Sequence, residues 1–587
     1  MNRRGNFYRK VTYGVAIAAL LFPLSLLSAP ATVESPGGTL ARLRTENGLG
    51  QADLGEIDPA SETIKLATLG LRGVAVNLLW DKATHYKKVE DWTNLAATLE
   101  QLAKLQPNFI TFWKYQSWNL SYNVSVEFDD FRDRYYWVRR GIQFLRKGVT
   151  LNRDSPVLLW ELGWVLGQKI GRADETEQYR RLFKADDEYH PEDRTPSERD
   201  NWLVGKASYL DAVAAVDERG KSLGKKSPSI FYSSPSKSQM NYSAAIGEEG
   251  LFERSVRGWG EAEDEWREFG NLPIEHSTGP ILRFNREPEL EAEVEQLKGE
   301  LNALLDGVEE IVVAEARAAL TDEQRAALDT PIGDRTPEVA QVAYEAERAL
   351  RVTPEKLAER IAREEPAKRR EAAELAADLR DTEKLLRFTD AYKDTTNYDY
   401  WALRCEFEQT AEAVAARELI FRAERAFKEE TDPFTAKDLY EQSFDRWAAL
   451  FEKYPSLIDG DNTTGDDVMF YLADYKKVLE QLDEQIADDF PLWGVIERYD
   501  SEANFRVELA ERAERGLRSG AAVAPPGSAA EPPVEEPTPP SEADPQADPQ
   551  AAEATAAGDS PEAAAAENAA VDAADGGAAS GDGRAVR

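Results

Sequence analysis

Along most of this chain apolar residues recur every three or four positions with polar residues between them. That is the period of an amphipathic helix rather than a strand. From residue 61 the pattern is strong: Leu66, Leu69, Leu71, Val74, Val76, Leu78, Leu79 and Trp80 predict an apolar helix running towards His85. A second helix is expected from Asp91, carrying Trp92, Leu95, Leu99, Leu102 and Leu105. It stops at Gln106-Pro107, because proline disfavours helical backbone in the residue before it. The run from Phe109 to Ser125 predicts a third helix, aromatic on more than one face through Phe112, Trp113, Tyr115, Trp118 and Tyr122, and so expected to be buried between neighbours. Residues 134–151 and 156–171 give a fourth and a fifth, the last with Gly171 as its expected C-cap.

Helix pairs closed by a proline follow the logic of the tetratricopeptide (TPR) repeat, whose period is 34 residues. The closing segments here are LAKLQPN at 102–108, VTLNRDSP at 149–156 and LFEKYPSL at 450–457. Their spacing is uneven, with SVEFDDFRD at 125–133 as the insertion that lengthens one step, so the expectation is a degenerate TPR-like array.

The runs LGLRGVAVNLLW, LAKLQPNFITFWKYQSWNLSYNVSVEF and YYWVRRGIQFLRKGVTLNRDSPVLLWELGWVLGQKIG resemble a set of exported TPR-like proteins of planctomycete-type bacteria. Some of these carry the automatic label "iron responsive element" protein, which implies no chemistry. The resemblance covers residues 65–171 well and the rest loosely. Its motif positions are Arg72, Gly73, Trp80, Pro107, Trp118, Asn119, Asn123, Trp137, Gly141 and Trp164. It implies a helical-repeat fold and no activity. Asn119 and Asn123, one turn apart, are expected to cap or cross-link neighbouring backbone in a buried place, and Gly141 to let another helix come close.

Residues 171–285 are less regular. Two polar stretches, 183–201 and 220–241, read as loops around a helix at 201–217; the second is locally basic through Lys221, Lys225, Lys226 and Lys237. Residues 286–390 change character: no Trp, much Ala, Glu, Arg and Leu, and many opposite charges four apart, a pattern that supports exposed helices. This segment reads as a helical hairpin or coiled-coil-like insertion, a candidate arm for partner binding or self-association. From 391 to 518 the aromatic helical pattern returns. Residues 519–587 are rich in Ala, Pro and acids and carry no aromatic residue, a composition that predicts a disordered tail.

Composition refines this picture. The 587-residue chain carries a net charge of −37, so nucleic acid is an unfavourable partner. A single cysteine, Cys405, excludes an intrachain disulfide and reads as a buried small hydrophobe. At the N-terminus, Arg3, Arg4, Arg9 and Lys10 precede an apolar run from Val11 to Ala29. That predicts a signal peptide or a signal anchor over residues 1–31, followed by a connector at 32–60. Cleavage after Ala31 and a retained membrane helix are both open. Either way the bulk of the chain is expected outside the cytoplasm, in the cell envelope.

Candidate chemistry is sparse. His85, His190 and His276 are scattered, and none of the common nucleophile, zinc-protease or phosphate-loop motifs is present. The loop Asp459–Asp467 fails the calcium-loop pattern, with Thr464 and Phe470 where Gly and Glu are required, so Asp466 or Asp467 is read as a helix N-cap. Glu127, Asp129, Asp130 and Asp133 form an acidic cluster beside aromatic helices, the ingredients of a glycosidase cleft or of a charged surface insertion. The tryptophans between 80 and 164 fit core packing first and sugar or peptide recognition second. The sequence therefore predicts an all-α, irregular TPR-like superhelix with no cofactor, no metal and no catalytic residue, working as a scaffold for a protein or peptide partner. An envelope glycan-processing enzyme and a self-associating structural protein are the alternatives.

Overall fold

The computed structural model describes residues 72–517, apart from 106, 153, 154, 174, 193, 277, 278, 460, 461, 501 and 502, together with 15, 19, 38, 39, 42 and 43. The expected signal segment, connector and acidic tail fall, those isolated positions aside, outside the described residues. Among the described residues the protein is all-α: 21 α-helices and one two-stranded ribbon. No described helix is long and apolar enough to cross a membrane. The chain divides into two compact units, one up to Gly258 and one from Trp259.

The first unit begins with α1 (Arg72–Lys88) and α2 (Trp92–Leu105), which pack on each other. Leu95, Leu99, Leu102 and Ala103 form the buried stripe of α2, while Val76, Leu79 and Ala83 of α1 contribute to the same core. Next come α3 (Ile110–Trp118), a π-helical turn at Asn119–Val124 and a 3-10 turn at Ser125–Glu127. The expected single helix at 109–125 is thus three conformations in series. α4 (Phe131–Leu151) packs against them. A Cβ at Gly141 would fall 2.7 Å from the Ser117 carbonyl and 2.1 Å from Ser121 Oγ, so only glycine permits this approach.

α5 (Pro156–Val165) opens with Ser155 accepting from the Leu158 amide and ends in a second π-helical turn, Leu166–Ile170. Gly171 does follow it, with φ −93°, so its purpose is room and not a left-handed cap: a Cβ there would meet the Trp202 ring at 2.4 Å. After α6 (Thr176–Lys184), α7 (Asn201–Asp217) packs on α5.

The polar stretch at 220–241 is not a loop beyond residue 227. From Pro228 it is α8 (Pro228–Glu248), a largely buried helix packed on α7. The physical reason is small-residue packing. Ser229, Ser233, Ser234, Ser236 and Ser238 are all buried, and the hydroxyls of Ser229, Ser233, Ser234 and Ser238 find partners. Ser234 donates to the Ile230 carbonyl at 2.7 Å, Ser238 to the Trp202 carbonyl at 2.7 Å, and the Trp160 indole donates to Ser234 Oγ at 2.9 Å. Serine can be as interior as alanine when its hydroxyl turns back on the helix. α9 spans Phe252–Asn271.

In the second unit a short ribbon, β1 (Ile274–Glu275) with β2 (Ile281–Leu282), precedes six helices over the Trp-free segment. They are α10 (Glu287–Ala303), α11 (Val308–Ala319), α12 (Asp322–Asp329), α13 (Pro337–Leu350), α14 (Pro354–Glu364) and α15 (Arg369–Thr396). α10 lies along α15, as a hairpin would, but α14 packs there too and α11 joins it. The segment is therefore a small bundle with its own core of Val294, Leu301, Val312, Leu357, Ile361 and Leu379. This corrects the simple hairpin and the coiled coil: four helices intervene between α10 and α15, and α11 and α14 add their own apolar residues to the core.

Near the base of this bundle Lys393 pairs with Glu287 and with Asp399, the latter at 2.9 Å. Burial, and then the Glu287 carboxylate beside it, push the Asp390 carboxyl up to about 6. A raised carboxyl pKa stabilises the fold below the unfolded value, about 3.9, and that contribution is lost as pH rises through about 6. Asp390→Asn stays neutral throughout. It is expected to melt higher than the wild type near pH 8 and at the same temperature near pH 3, a difference readable by thermal unfolding at the two pH values. A constant offset at both would refute the carboxylate repulsion.

The aromatic core resumes in α16 (Tyr398–Glu408), α17 (Ala411–Lys428), α18 (Pro433–Lys453) and α19 (Thr463–Gln481), followed by α20 (Trp493–Tyr499) and α21 (Arg506–Glu514). α17 and α18 pack along each other around Tyr440, Phe444 and Trp447, all fully buried. The N-cap of α19 is Asn462, not Asp466 or Asp467. Asp467 points instead to Arg404.

Candidate binding surface

The motif residues separate into two groups. Pro107, Asn119, Trp137 and Gly141 are buried. The Pro107 carbonyl accepts both the Trp113 indole at 2.7 Å and the Asn152 amide at 2.6 Å, so it organises the α2–α3 corner. Asn119 and Asn123 do not bind neighbouring backbone. Asn123 donates to Asn119 Oδ1 at 3.1 Å, and Lys87 of α1 reaches the same oxygen at 3.3 Å. The π-helical turn explains the change, since its wider winding alters which side chains share a face.

Arg72 and Gly73 open α1, with open space around Gly73. Trp80 is 45% exposed and Trp118 40% exposed, with Tyr115 at 48%. This corrects the expectation that the third helix is buried all round. Phe112 and Trp113 point inward; Tyr115 and Trp118 do not.

Exposed Tyr115 and Trp118 continue into half-buried Tyr122 and Trp164 as a ladder. Tyr115 to Trp118, Trp118 to Tyr122, and Tyr122 to Trp164 are each 6.2 Å between centroids, with the Trp118–Tyr122 planes only 20° apart. Tyr122 sits in the first π-helical turn, and Trp164 lies in α5, two residues before the second. Lys169, from that second turn, places its ammonium 4.7 Å from the Tyr122 ring centre. Lys114 pairs with Glu161 at 3.0 Å beside it. Burial, and then the Glu161 charge, raise the Tyr122 phenol, so it remains a neutral hydroxyl. The ladder presents flat apolar faces edged by a few charges, the composition of a recognition surface.

The other candidates resolve into structure. Glu127, Asp129, Asp130 and Asp133 are all exposed, and Asp130 caps α4 by accepting from the Arg132 amide at 2.7 Å. His190 is buried against the Phe183 carbonyl at 2.8 Å, and burial lowers its pKa. His276 stacks on Phe388 at 4.0 Å. Cys405 is fully buried, and burial pushes its thiol up to about 12, which keeps it protonated. In the basic stretch, Lys226 lies over the Trp160 ring at 3.3 Å. Among the described residues no group of three or more His, Cys, Asp or Glu is arranged to hold a metal ion.

Two buried ionic clusters escaped the sequence reading, because each is closed by partners more than sixty residues apart, Arg180 with Glu249 and Arg404 with Asp467. Arg180 donates to Asp200 at 2.9 Å, to Asn201 at 2.8 Å and to Glu249 at 2.8 Å. Arg404 and Arg417 flank Glu408 and Asp467, with Tyr400 and Tyr471 completing the set. Both clusters are internally paired and hold helices together. No protein-family model, no curated protein and no solved structure matches this chain.

Proposed function

We propose that this chain is a non-catalytic interaction scaffold of the cell envelope, built on TPR-like helix pairs and held at the outer side of the cytoplasmic membrane by its N-terminal apolar segment. The observation that carries the reading is the ladder Tyr115–Trp118–Tyr122–Trp164, four aromatic rings in series with the first two open to solvent. Trp and Tyr are the residues on which protein interfaces concentrate their binding energy. The packing of sequence-adjacent helices, α1 on α2, α3 on α4 and α17 on α18, supports the TPR-like comparison. The basic residues before the apolar run at 11–29 support the envelope location.

The test is capture of partners from envelope extract by the full chain, read by mass spectrometry, with wild type against Trp118→Ala. An interface anchor is worth about 2 kcal/mol or more, so the variant is expected to lose capture by at least about tenfold while melting at the wild-type temperature. A partner captured equally by both proteins would remove the ladder from the argument.

A further inference from the structure

Within the bundle of the second unit, α14 and α15 form a hairpin. α14 ends at Glu364, α15 begins at Arg369, and the two pack along each other. Arg380 of α15 lies 3.6 Å from Glu355 in the first turn of α14, so the helices run antiparallel. One side of the hairpin meets the bundle core through Leu357, Ile361 and Leu379. Another side forms a groove of about 560 Å³, room for a row of facing side chains. Its floor is alanine: Ala358 and Ala362 one turn apart on α14, Ala373 and Ala377 one turn apart on α15, and Ala376 beside them. Ala373 is exposed, and Ala362 and Ala377 are half-buried. With no floor side chain longer than a methyl group, a second pair of helices can approach closely. The walls carry charge in an order. Glu355 and Glu359 stand along the first half of α14, while Arg363 and Arg369 stand at the end where the hairpin turns. Arg380 is held by Glu355 and, at 2.9 Å, by Asp381. Glu359, Arg363 and Arg369 are exposed and form no ion pair among the described residues.

We propose that this groove is the contact surface between two copies of this chain, docked antiparallel about a two-fold axis. The order of charge selects the occupant. A two-fold contact uses one surface twice, so that surface must complement itself. Acids at one end and unpaired guanidinium groups at the other meet that condition only when the second copy is turned end for end. Arg363 then meets Glu359 of the partner subunit, Arg369 meets Glu355 of the partner subunit, and the axis repeats each pair. A parallel copy would set arginine against arginine. Two chains of net charge −37 repel at a distance, so a second copy is admitted where unpaired arginines stand. The two alanine floors face each other, and two hairpins pack as a four-helix bundle with a small-residue seam. The inference goes beyond the scaffold reading and does not involve the ladder.

The experiment follows the mass of the full-length chain in detergent by sedimentation velocity over a wide range of concentration, at low salt, where exposed charge pairs are least screened. Wild type is expected as a monomer–dimer equilibrium. Glu359→Arg and Arg363→Glu each set like charges against each other twice across the axis, and each should weaken the dimer at least about tenfold. An equimolar mixture of these two single variants should dimerise again, because each supplies the sign that the other lacks. Ala373→Glu, at an exposed place in the floor, should also weaken the dimer at least about tenfold, since it puts a long charged side chain into the seam. All three changes are on exposed helical positions, so circular dichroism should show unchanged helix content. Wild type that stays monomeric at every concentration would overturn the second copy as occupant. A dimer indifferent to Ala373→Glu would overturn the groove as its place, and single variants not rescued by mixing would overturn the antiparallel pairing. Capture by the ladder is read separately through Trp118→Ala, so either reading can fail without the other.

Discussion

Replacing Glu408 by Leu is expected to destabilise the second unit by about 3–5 kcal/mol, the usual consequence of taking one partner out of a buried ionic group. Glu408 is almost wholly buried between two guanidinium groups. Arg417 Nε donates to it at 2.6 Å, and Arg404 Nε lies 3.4 Å away. Burial alone would lower the Arg404 pKa, but Asp467, Tyr400 and Glu408 beside it raise it, so the charge is retained. Without Glu408, both arginines must share Asp467, which is 3.7 Å from Arg417 and already bonded to Arg404. Glu408→Gln separates charge from hydrogen bonding. It keeps an acceptor oxygen for one arginine but leaves two cations facing a neutral group, so its loss should fall below that of Leu yet stay above about 1 kcal/mol. Urea unfolding followed by circular dichroism reads both. A loss under about 1 kcal/mol for Glu408→Leu would mean that water enters and solvates the arginines, and the cluster would then hold nothing together.

Trp113→Ala should cost the first unit about 3–5 kcal/mol, as truncation of a buried large aromatic does. The Trp113 side chain is fully buried and packs on Phe144 at 4.7 Å between ring centres. It fills the space beside Gly148, where a Cβ would lie 2.7 Å from the indole. Trp113→Phe should cost much less, because the Pro107 carbonyl still accepts from Asn152. The pair of variants also links packing to function. Trp113 anchors the inner face of the helix whose outer face carries Tyr115 and Trp118, so loosening it should weaken ladder binding and lower stability together. Trp118→Ala should weaken binding alone. Unfolding and partner capture from envelope extract on the same three proteins check this, and a Trp113→Ala protein of wild-type stability would refute the account of the core.

Several features were legible before any coordinates. The all-helical architecture followed from the three- and four-residue recurrence, and helix ends from Pro107 and Pro156. The burial of Cys405 followed from the preference of a lone cysteine for the interior, and the close helix approach at Gly141 from the absence of a side chain in an otherwise bulky run. The candidate surface was only half legible. Aromatic content marked residues 109–122, but sequence alone favoured burial. Tyr115 and Trp118 share their helix with Phe112 and Trp113, and composition does not say which face meets a neighbour.

The sequence by itself determined local backbone preference, because helix period, caps and proline stops act over a few residues. Only the tertiary structure decided the rest. It turned the serine-rich stretch from Pro228 into an interior helix, because hydroxyls can bond to their own helix and let another pack close. It gave the Trp-free segment its own core, because α10, α11, α14 and α15 bury their apolar stripes on one another. It joined Arg404 to Asp467 and Arg180 to Glu249 across dozens of residues. It also set four aromatic rings in series, two exposed and two half-buried, by bringing Trp164 of α5 against Tyr122 of the first π-helical turn.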